Sequence, residues 1–249
     1  MKHMVIGLLA LLVLLSSTPV RAEEAAQIIR QVEENLNGKT AVMTMTMDVS
    51  TSRTQRRMTM ESYSIGNDKF FIRILYPGKD KGITFLRVHS TMWQYVPRIE
   101  KTIKIPASMM LQSWMGSDFT NDDLVKESSL SKDYITSLLA ENKDGYRLEL
   151  LPKDEAAVVW GKIIMEVSRQ YLLPTRVHYF DEDGVLVREL FYSDVRAFGK
   201  RFYPVSWTMV PKETEKADHK TVITISRAVF DAKVNKAYFT KRALKRFSK

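Results

Sequence analysis

The chain has 249 residues and no cysteine, which excludes disulfide frameworks, thiolate metal sites and cysteine nucleophiles. A chain of this length buries enough apolar surface to fold without such cross-links. Its 38 lysines and arginines outnumber its 29 aspartates and glutamates, so the formal net charge is +9 and an anionic counterpart is expected.

The first 22 residues are typical of a cleaved secretory signal peptide. Lys2 and His3 form a basic start, residues 4–15 are apolar, and a Ser-Ser-Thr-Pro break precedes Val20-Arg21-Ala22. The apolar run has about 12 residues, whereas roughly 20 are needed to cross a bilayer. We therefore expect cleavage after Ala22 and an exported chain, residues 23–249, that folds as one domain. No cysteine follows the cleavage site, so we expect no lipidation.

Much of the positive charge gathers at the C-terminus. Without Lys2 and Arg21 the net charge falls to about +7, and five positive residues lie in the last nine, KRALKRFSK. An exported chain does not meet nucleic acid, so the expected counterpart is an anionic lipid surface, touched transiently, or an acidic patch on a partner. The alternative is a solvated basic end of a C-terminal helix, predicted over residues 236–246 from charges spaced three and four apart.

Most of the remaining chain has the patterns of β-strands. Alternating or continuous apolar residues, bounded by turn residues such as Asp183-Gly184 and the turn at 53–57, mark each candidate strand. The candidate strands are 43–49, 58–61, 70–76, 83–88, 92–96, 101–105, 146–151, 158–168, 174–180, 185–193, 201–210 and 220–229.

The number of strands predicts a curled sheet. Open flat sheets of more than about ten strands are uncommon, so we expect a mainly β fold, a half-open antiparallel barrel of about 10–12 strands. Helices predicted at 24–37, 107–115, 121–126 and 236–246 are then free to cover its open side.

Nine methionines lie within about 75 residues and allow two interpretations. Methionine fills irregular gaps in an ordinary core, and it also lines surfaces that adapt to varied apolar ligands. Both interpretations use the same side chains. The candidate cavity-lining residues are Met43, Met45, Met47, Met58, Met60, Phe70, Ile72, Ile74, Trp93 and Tyr95.

The segment 107–115, which we term the lid segment, is apolar on nearly every side. A short helix of this composition requires cover on both faces. The candidate lid residues are Met109, Met110, Leu111, Trp114 and Met115.

The next four residues, 116–119, form what we term the lid loop. Gly116 ends the predicted helix, and Thr120 with Asp123 fits a capping box for the next one. The alternative is a functional role in which Asp118 holds the lid closed by pairing with a basic residue such as Arg98 or Lys101. The candidate lid-loop residues are Gly116, Asp118 and Phe119.

Three strings occur in a recognisable order: P-G-K-x-x-G-x-x-F-L from Pro77, W-x-Y-x-P from Trp93 and M-G-S-D-F from Met115. In this the chain resembles the outer-membrane lipoprotein-sorting family, relatives of the periplasmic carriers LolA and LolB. The resemblance implies a half-open β-barrel closed by helices over an apolar cavity. It also implies a monomeric periplasmic carrier without cofactor or metal, which shields the acyl chains of a lipoprotein or lipid and delivers it toward the outer membrane. An inner-membrane exporter of the resistance-nodulation-division type is then the expected donor, and an outer-membrane protein the acceptor.

Two other classes of protein are weighed against a carrier. An enzyme is disfavoured because no G-x-S-x-G elbow occurs and the three histidines after the signal have no metal-ligand spacing. A periplasmic adaptor or sensor, docking onto an envelope protein complex, would use aromatic anchors that serve equally well as core residues. The histidines are His89, His178 and His219, and the aromatic anchors are Trp93, Tyr95, Trp160 and Trp207.

Overall fold

The structure is a computed structural model, and it describes residues 18–126, 130–156 and 158–249. Within these residues the helices are α1 (Thr18–Asn37), α2 (Asn121–Lys126), α3 (Leu130–Asp133) and α4 (Lys241–Arg246). The strands are β1 (Thr40–Ser50), β2 (Gln55–Ile65), β3 (Lys69–Tyr76), β4 (Thr84–Val88), β5 (Thr91–Val96), β6 (Lys101–Lys104), β7 (Tyr134–Glu141), β8 (Gly145–Pro152), β9 (Lys162–Ser168), β10 (Pro174–Phe180), β11 (Leu186–Phe198), β12 (Arg201–Pro211) and β13 (Lys220–Phe230). No helix in the described ranges is long and apolar enough to cross a membrane.

The strands form one curled antiparallel sheet that is not closed. Their order is β6-β5-β4-β3-β2-β1-β13-β12-β11-β10-β9-β8-β7, so the first and last strands of the chain pair in the middle. The strands β6 and β7 are the two edges of the sheet, and they do not pair with each other. The predicted fold class is confirmed, with thirteen strands in the described residues where about 10–12 were expected.

The alternation in β1 sets one face of the sheet toward the interior. Buried and half-buried residues alternate along the whole strand, as a strand covered on one side requires. Met45 lies opposite Met60 and Met47 opposite Met58, so the two strands present a continuous methionine surface. We term this side of the sheet the inner face.

Helix α1 covers the inner face with one apolar stripe. Ala25, Ile28, Ile29 and Val32 are buried in the same cluster as the methionines of β1 and β2. The helix ends at Asn37, and Gly38 follows it with a φ of +63°, in the left-handed region. The Gly38 N–H donates to Glu34 O at 2.9 Å. Residues 1–17 of the predicted signal peptide lie outside the described residues, and the predicted cleavage position after Ala22 falls within α1.

Helix α4 does not cover the open side of the barrel, which corrects the sequence prediction. Its buried residues Ala243 and Leu244 contact Phe71, Leu86 and Tyr95, which form a second cluster separate from the main core. Phe71 alternates along β3 with Phe70 and Ile72 of the inner face, so α4 lies on the outer face. The predicted helix 236–246 is also divided, because Thr240 is extended between a 3₁₀ turn and α4.

Several predicted boundaries were wrong for local reasons. The turn after β1 lies at 51–54 and not at 53–57. Strand β9 begins at Lys162, four residues after the predicted start at 158. Strand β7 was missed because Ile135 and Leu139 point to solvent, 59% and 50% exposed, which blurs its alternation. The predicted Asp183-Gly184 hairpin between β10 and β11 is confirmed.

Candidate functional site

A cavity of about 240 Å³ lies between the two halves of the curled sheet, beneath α1. One wall comes from the inner face of β1–β3 and the other from the inner face of β9–β13. The first wall contains Ala41, Met43, Met45, Met60, Phe70 and Ile72, and the second contains Ile163, Met165, Val177, Tyr179, Tyr192, Tyr203, Trp207 and Ile223. Val32, Leu36, Trp114, Leu124 and Leu130 complete the apolar lining.

Five of the ten predicted lining residues face this cavity: Met43, Met45, Met60, Phe70 and Ile72. Three others, Met47, Met58 and Ile74, are completely buried on the same inner face and fill the core beside the cavity. The methionines are therefore divided between the two interpretations that the sequence allowed. Toward the end of β2 the wall becomes polar and its side chains become small, because Ser62 and Ser64 occupy the inward positions that follow Met60.

The remaining two predicted residues, Trp93 and Tyr95, do not line the cavity. Both lie on the outer face of β5, where Tyr95 is buried in the α4 cluster and Trp93 packs at its edge. Met92, one position away, takes the inner face instead. Strand β5 is apolar on both faces because α4 covers its outer side, so alternation alone did not indicate the inward face.

The segment between Ile105 and α2, which we term the lid region (residues 105–126), covers one part of the cavity. Its anchor is Trp114, which is 3% exposed and meets the ring of Phe85 edge-on at a centroid distance of 5.4 Å. Phe119 is also buried in the main core. Leu111 is 60% exposed, so one lid residue faces away from the interior.

The lid segment is not the continuous helix that its composition predicted. It forms two 3₁₀ turns, Ala107–Met109 and Trp114–Gly116, and Met115 has a left-handed φ of +52°. Donor groups at the start of α2 form hydrogen bonds with carbonyl oxygens that the next turn of a continuous helix would otherwise use. The Asn121 amide donates to Met109 O at 2.9 Å, and the Asp122 N–H donates to Met110 O at 2.8 Å.

Asp118 does not pair with Arg98 or Lys101, so that prediction was wrong. Its carboxylate accepts a hydrogen bond from the Thr221 hydroxyl at 2.6 Å, and His219 Nδ1 lies 3.8 Å from it. Its N–H donates to the same Thr221 oxygen at 3.0 Å. Asp118 thus joins the lid loop to β13, a strand far away in sequence.

A buried ion pair joins the lid region to the second wall. Arg188 on β11 donates to both carboxylate oxygens of Asp123, with Nη1–Oδ2 at 2.7 Å, and both side chains are 5% exposed. The guanidinium also lies 4.4 Å from the ring centroid of Trp160 and 4.6 Å from that of Tyr179. Asp123 was predicted only to cap α2, and Arg188 was not predicted as its partner because the two residues are 65 positions apart in the chain.

The predicted capping box at the start of α2 is confirmed. The Asp123 N–H donates to the Thr120 hydroxyl at 3.2 Å, and the Thr120 N–H donates to Asp123 Oδ2 at 2.7 Å.

We expect Thr120→Ala to lower the free energy of unfolding by about 1 kcal/mol, because it removes the acceptor for a backbone N–H in the first turn of α2. Urea denaturation of the variant measures this loss. Thr102→Ala is the matched control: Thr102 is exposed on β6, so its replacement should change stability by less than about 0.5 kcal/mol. Equal losses in the two variants would contradict a capping role.

A buried cation lies at the boundary between the first wall and the lid region. Arg87 on β4 is 4% exposed, and its guanidinium donates to Leu124 O at 2.8 Å and to Asn67 O. It also lies 5.0 Å from the ring centroid of Phe70. Burial lowers the pKa of Arg87 to about 10, so the guanidinium remains charged at neutral pH. Arg87 therefore holds α2 to β4, as Arg188 holds it to β11.

Glu33 links α1 to α3 at the edge of the cavity. Its carboxylate accepts hydrogen bonds from the Ser131 hydroxyl and, at 3.4 Å, from the Ser131 N–H. Burial raises the pKa of Glu33 above its ordinary value of 4.5, because the charged carboxylate loses solvation. The stabilisation by this group is therefore present below pH 4.5 and is lost as the pH rises through the higher pKa of the folded state.

We expect Glu33→Gln to reduce the fall in melting temperature as the pH rises above 4.5. It should also raise the melting temperature at pH 7, since glutamine carries no charge to desolvate. Melting temperatures from pH 4.5 to pH 8 test this expectation. The control is Glu34→Gln, one position along on the exposed side of α1. A Glu33→Gln profile parallel to that of the wild type would contradict it.

The three histidines lie apart from one another. His89 occupies the exposed turn between β4 and β5, His178 lies on the outer face beside Glu189, with Nδ1 3.1 Å from Oε1, and His219 adjoins the lid loop. Among the described residues, no group of three or more histidine, aspartate or glutamate side chains is placed to hold a metal ion.

Comparisons with known proteins bear on this architecture. A family model described as that of an uncharacterized protein matches residues 66–246, and a search of curated proteins gives no significant match. A DUF1329 family protein from Desulfovibrio piger has a similar structure, with a TM-score of 0.83, 21% identity and coverage of 90% of this chain and 99% of that one.

Two further structures share the fold. A putative outer membrane lipoprotein-sorting protein domain from Vibrio parahaemolyticus gives a TM-score of 0.77 at 22% identity, covering 90% of this chain and all of that one. A LolA superfamily protein from Nitrosomonas europaea gives 0.72 at 17% identity, covering 88% and 98%. The predicted resemblance is confirmed for the fold, which is LolA-like. The chain belongs to the family whose model matches residues 66–246.

Proposed function

We propose that the protein is a periplasmic carrier that shields the acyl chains of a lipoprotein or lipid and delivers them toward the outer membrane. The observation that supports this most strongly is the apolar cavity between the two walls of the sheet, covered by α1 and the lid region. Relatives in fold carry the names lipoprotein-sorting protein and LolA superfamily protein, in agreement with this function.

The energetics of lipid transfer explain the need for such a cavity. An acyl chain of about 16 carbons costs on the order of 12 kcal/mol to expose to water, at about 0.8 kcal/mol for each CH₂ group. Methionine, tyrosine and tryptophan side chains, such as Met45, Tyr203 and Trp207, would replace water around the chain. This function requires the protein only to bind the acyl chain and to enclose it. We propose no catalytic residue, cofactor or metal.

The size of the cavity indicates that binding includes a structural change. Pockets for small-molecule ligands usually enclose about 300–1,000 Å³, and this cavity encloses about 240 Å³. We infer that the structure is the closed state and that cargo enters when the lid region moves outward. The contacts that Asp118, Asp123 and Leu124 of the lid region make with the sheet set the free energy of that movement. Cargo shifts the equilibrium toward the wider cavity that accommodates it.

Transfer also requires a donor and an acceptor. We propose that a monomer receives cargo from an inner-membrane exporter of the resistance-nodulation-division type and passes it to an outer-membrane acceptor. The signal peptide over residues 1–22 would bring residues 23–249 to the periplasm, where the acyl chain must cross water.

An adaptor or sensor is less well supported than a carrier. The candidate anchors for a protein partner were Trp93, Tyr95, Trp160 and Trp207, and none of them is exposed. Trp207 faces the cavity, Trp160 contacts Arg188, and Trp93 packs beside α4. These positions fit an internal binding site better than a docking surface.

Titration of the delipidated protein with a fluorescent 16-carbon fatty acid tests the proposal. We expect saturable binding of one probe per protein, displaced by unlabelled lipid. A short-chain analogue should bind more weakly, since each missing CH₂ group removes about 0.8 kcal/mol of burial. Absence of saturable binding, or equal affinity for short and long chains, would contradict a carrier.

A further inference from the structure

One edge of the sheet carries a dense positive surface that the cavity does not use. We term it the basic edge and define it as residues 97–104 and 240–249. These two stretches hold eight lysines and arginines and a single acidic residue, Glu100. Residues 98–104 are all exposed, and so are the four cations of α4, which are Lys241, Arg242, Lys245 and Arg246.

The two stretches form one continuous surface. Lys245 Nζ lies 3.9 Å from Glu100 Oε2, which joins α4 to the turn before β6. Lys241 Nζ lies 4.8 Å from the ring centroid of Trp93, and Trp93 pairs with Lys104 across β5 and β6. Lys104 therefore shares the outer face with α4, and Lys101 points to the other side of the same edge.

The helix that presents these cations is fixed to the sheet. The Thr84 hydroxyl, which is buried, donates to Leu244 O at 2.8 Å, and Arg73 Nη1 donates to Lys249 O at 3.3 Å. Ala243 and Leu244 are buried beneath the exposed face. The positive charge is thus held on a rigid support and is not spread over a loose tail.

Two apolar side chains lie along the same edge, and Ile103 is on the side of β6 opposite Lys104. Ile99 is 54% exposed and Ile103 is 38% exposed, and each is flanked in sequence by exposed charged or polar residues. A bilayer interface accommodates both kinds of side chain, with cations at its headgroups and aliphatic groups just beneath them.

We propose that the basic edge is a docking surface for an anionic lipid bilayer. The edge strand and the helix present protruding side chains and lie outside the cavity described above, so the surface suits a plane better than an inserted acidic peptide. The clustered charge provides long-range attraction, and Ile99 and Ile103 provide the short-range apolar contact.

The position of this surface relates docking to the lid. Strand β6 is an edge of the sheet and pairs with β5, and it leads directly to Ile105, whose N–H donates to Met92 O at 2.9 Å at the start of the lid region. A bilayer bound at β6 therefore lies next to the segment that must move. The link between docking and movement of the lid region rests on the proposed carrier function, but docking itself does not require bound cargo.

Vesicle flotation of the full chain tests the proposal. Phosphatidylcholine vesicles are compared with vesicles that also contain phosphatidylglycerol, at low and at high salt. We expect the protein to float with the anionic vesicles only, and the binding to weaken as salt rises. In the triple variant Lys101→Glu, Lys104→Glu, Arg242→Glu, binding should fall at least about tenfold. If charge reversal prevents folding, the same three positions changed to glutamine should give a smaller loss in the same direction.

The matched control reverses three exposed lysines outside the basic edge: Lys143→Glu, Lys200→Glu and Lys233→Glu. It has the same net charge as the first variant and should retain most of the binding. Equal losses in the two variants, or equal flotation with neutral vesicles, would overturn the proposal. Failure of the wild type to float with anionic vesicles would also overturn it and would leave an acidic protein as the counterpart. Acyl-probe titration of the same samples shows separately whether cargo binding is intact.

Discussion

Ser62→Trp is expected to abolish acyl-chain binding while leaving the fold intact. Ser62 faces the cavity from β2, between Met43 on β1 and Ile72 on β3, where the wall has its small residues. An indole at this position would occupy space that an acyl chain needs in a cavity of only about 240 Å³. We expect at least tenfold weaker binding in the fatty acid titration, with a stability cost of about 1–3 kcal/mol from overpacking.

The control for this substitution is Ser137→Trp. Ser137 is exposed on β7 and points away from the cavity, so the variant adds the same side chain to a strand without filling the site. It should bind the probe as the wild type does. Wild-type affinity in Ser62→Trp, with a folded protein by circular dichroism, would show that lipid binds elsewhere.

Arg188→Met is expected to cause the largest loss of stability among single changes to the lid contacts. It leaves Asp123 charged and buried without its cation, a change that typically costs about 3–5 kcal/mol. At about 2–4 °C per kcal/mol for a chain of this size, the melting temperature should fall by roughly 6–20 °C. Release of the acyl probe should also accelerate, because Arg188 contacts both Asp123 and the carbonyl of Asp118.

A second substitution separates the buried charge from lost packing. Adding Asp123→Asn to Arg188→Met removes the uncompensated carboxylate and keeps an acceptor for the Thr120 N–H. The double variant should recover most of the lost stability. If Arg188→Met alone costs less than about 1 kcal/mol, the pair behaves as an exposed ion pair does, and it does not secure the lid region.

The predictable part of the site came from strands covered on one side only. In β1 and β2 a strict alternation placed Met43, Met45 and Met60 on one face, and burial followed that face. In β5 the same reasoning chose Trp93 and Tyr95, yet the inner face belongs to Met92. The difference is α4, which returns from the C-terminus to bury the outer face of β3–β5 and thereby removes the contrast between faces.

The contacts that hold the lid region were beyond local patterns. A capping box spans three residues, so Thr120 and Asp123 were recognisable in sequence. Partners such as Asp118 with Thr221, or Asp123 with Arg188, are set by strand order and register, which depend on the whole sheet. The predicted lid helix was wrong for a related reason: apolar composition indicated burial correctly for Trp114 but did not show that α2 takes the carbonyl groups of Met109 and Met110.

The most direct test of the account is native mass spectrometry of residues 23–249, purified gently from a native periplasm, together with lipid extraction of the same sample. A carrier should retain one apolar cargo molecule per protein, whether free lipid or acylated protein, and Ser62→Trp prepared in the same way should be empty. A wild-type protein that carries no lipid and also rejects added lipid would contradict the carrier function.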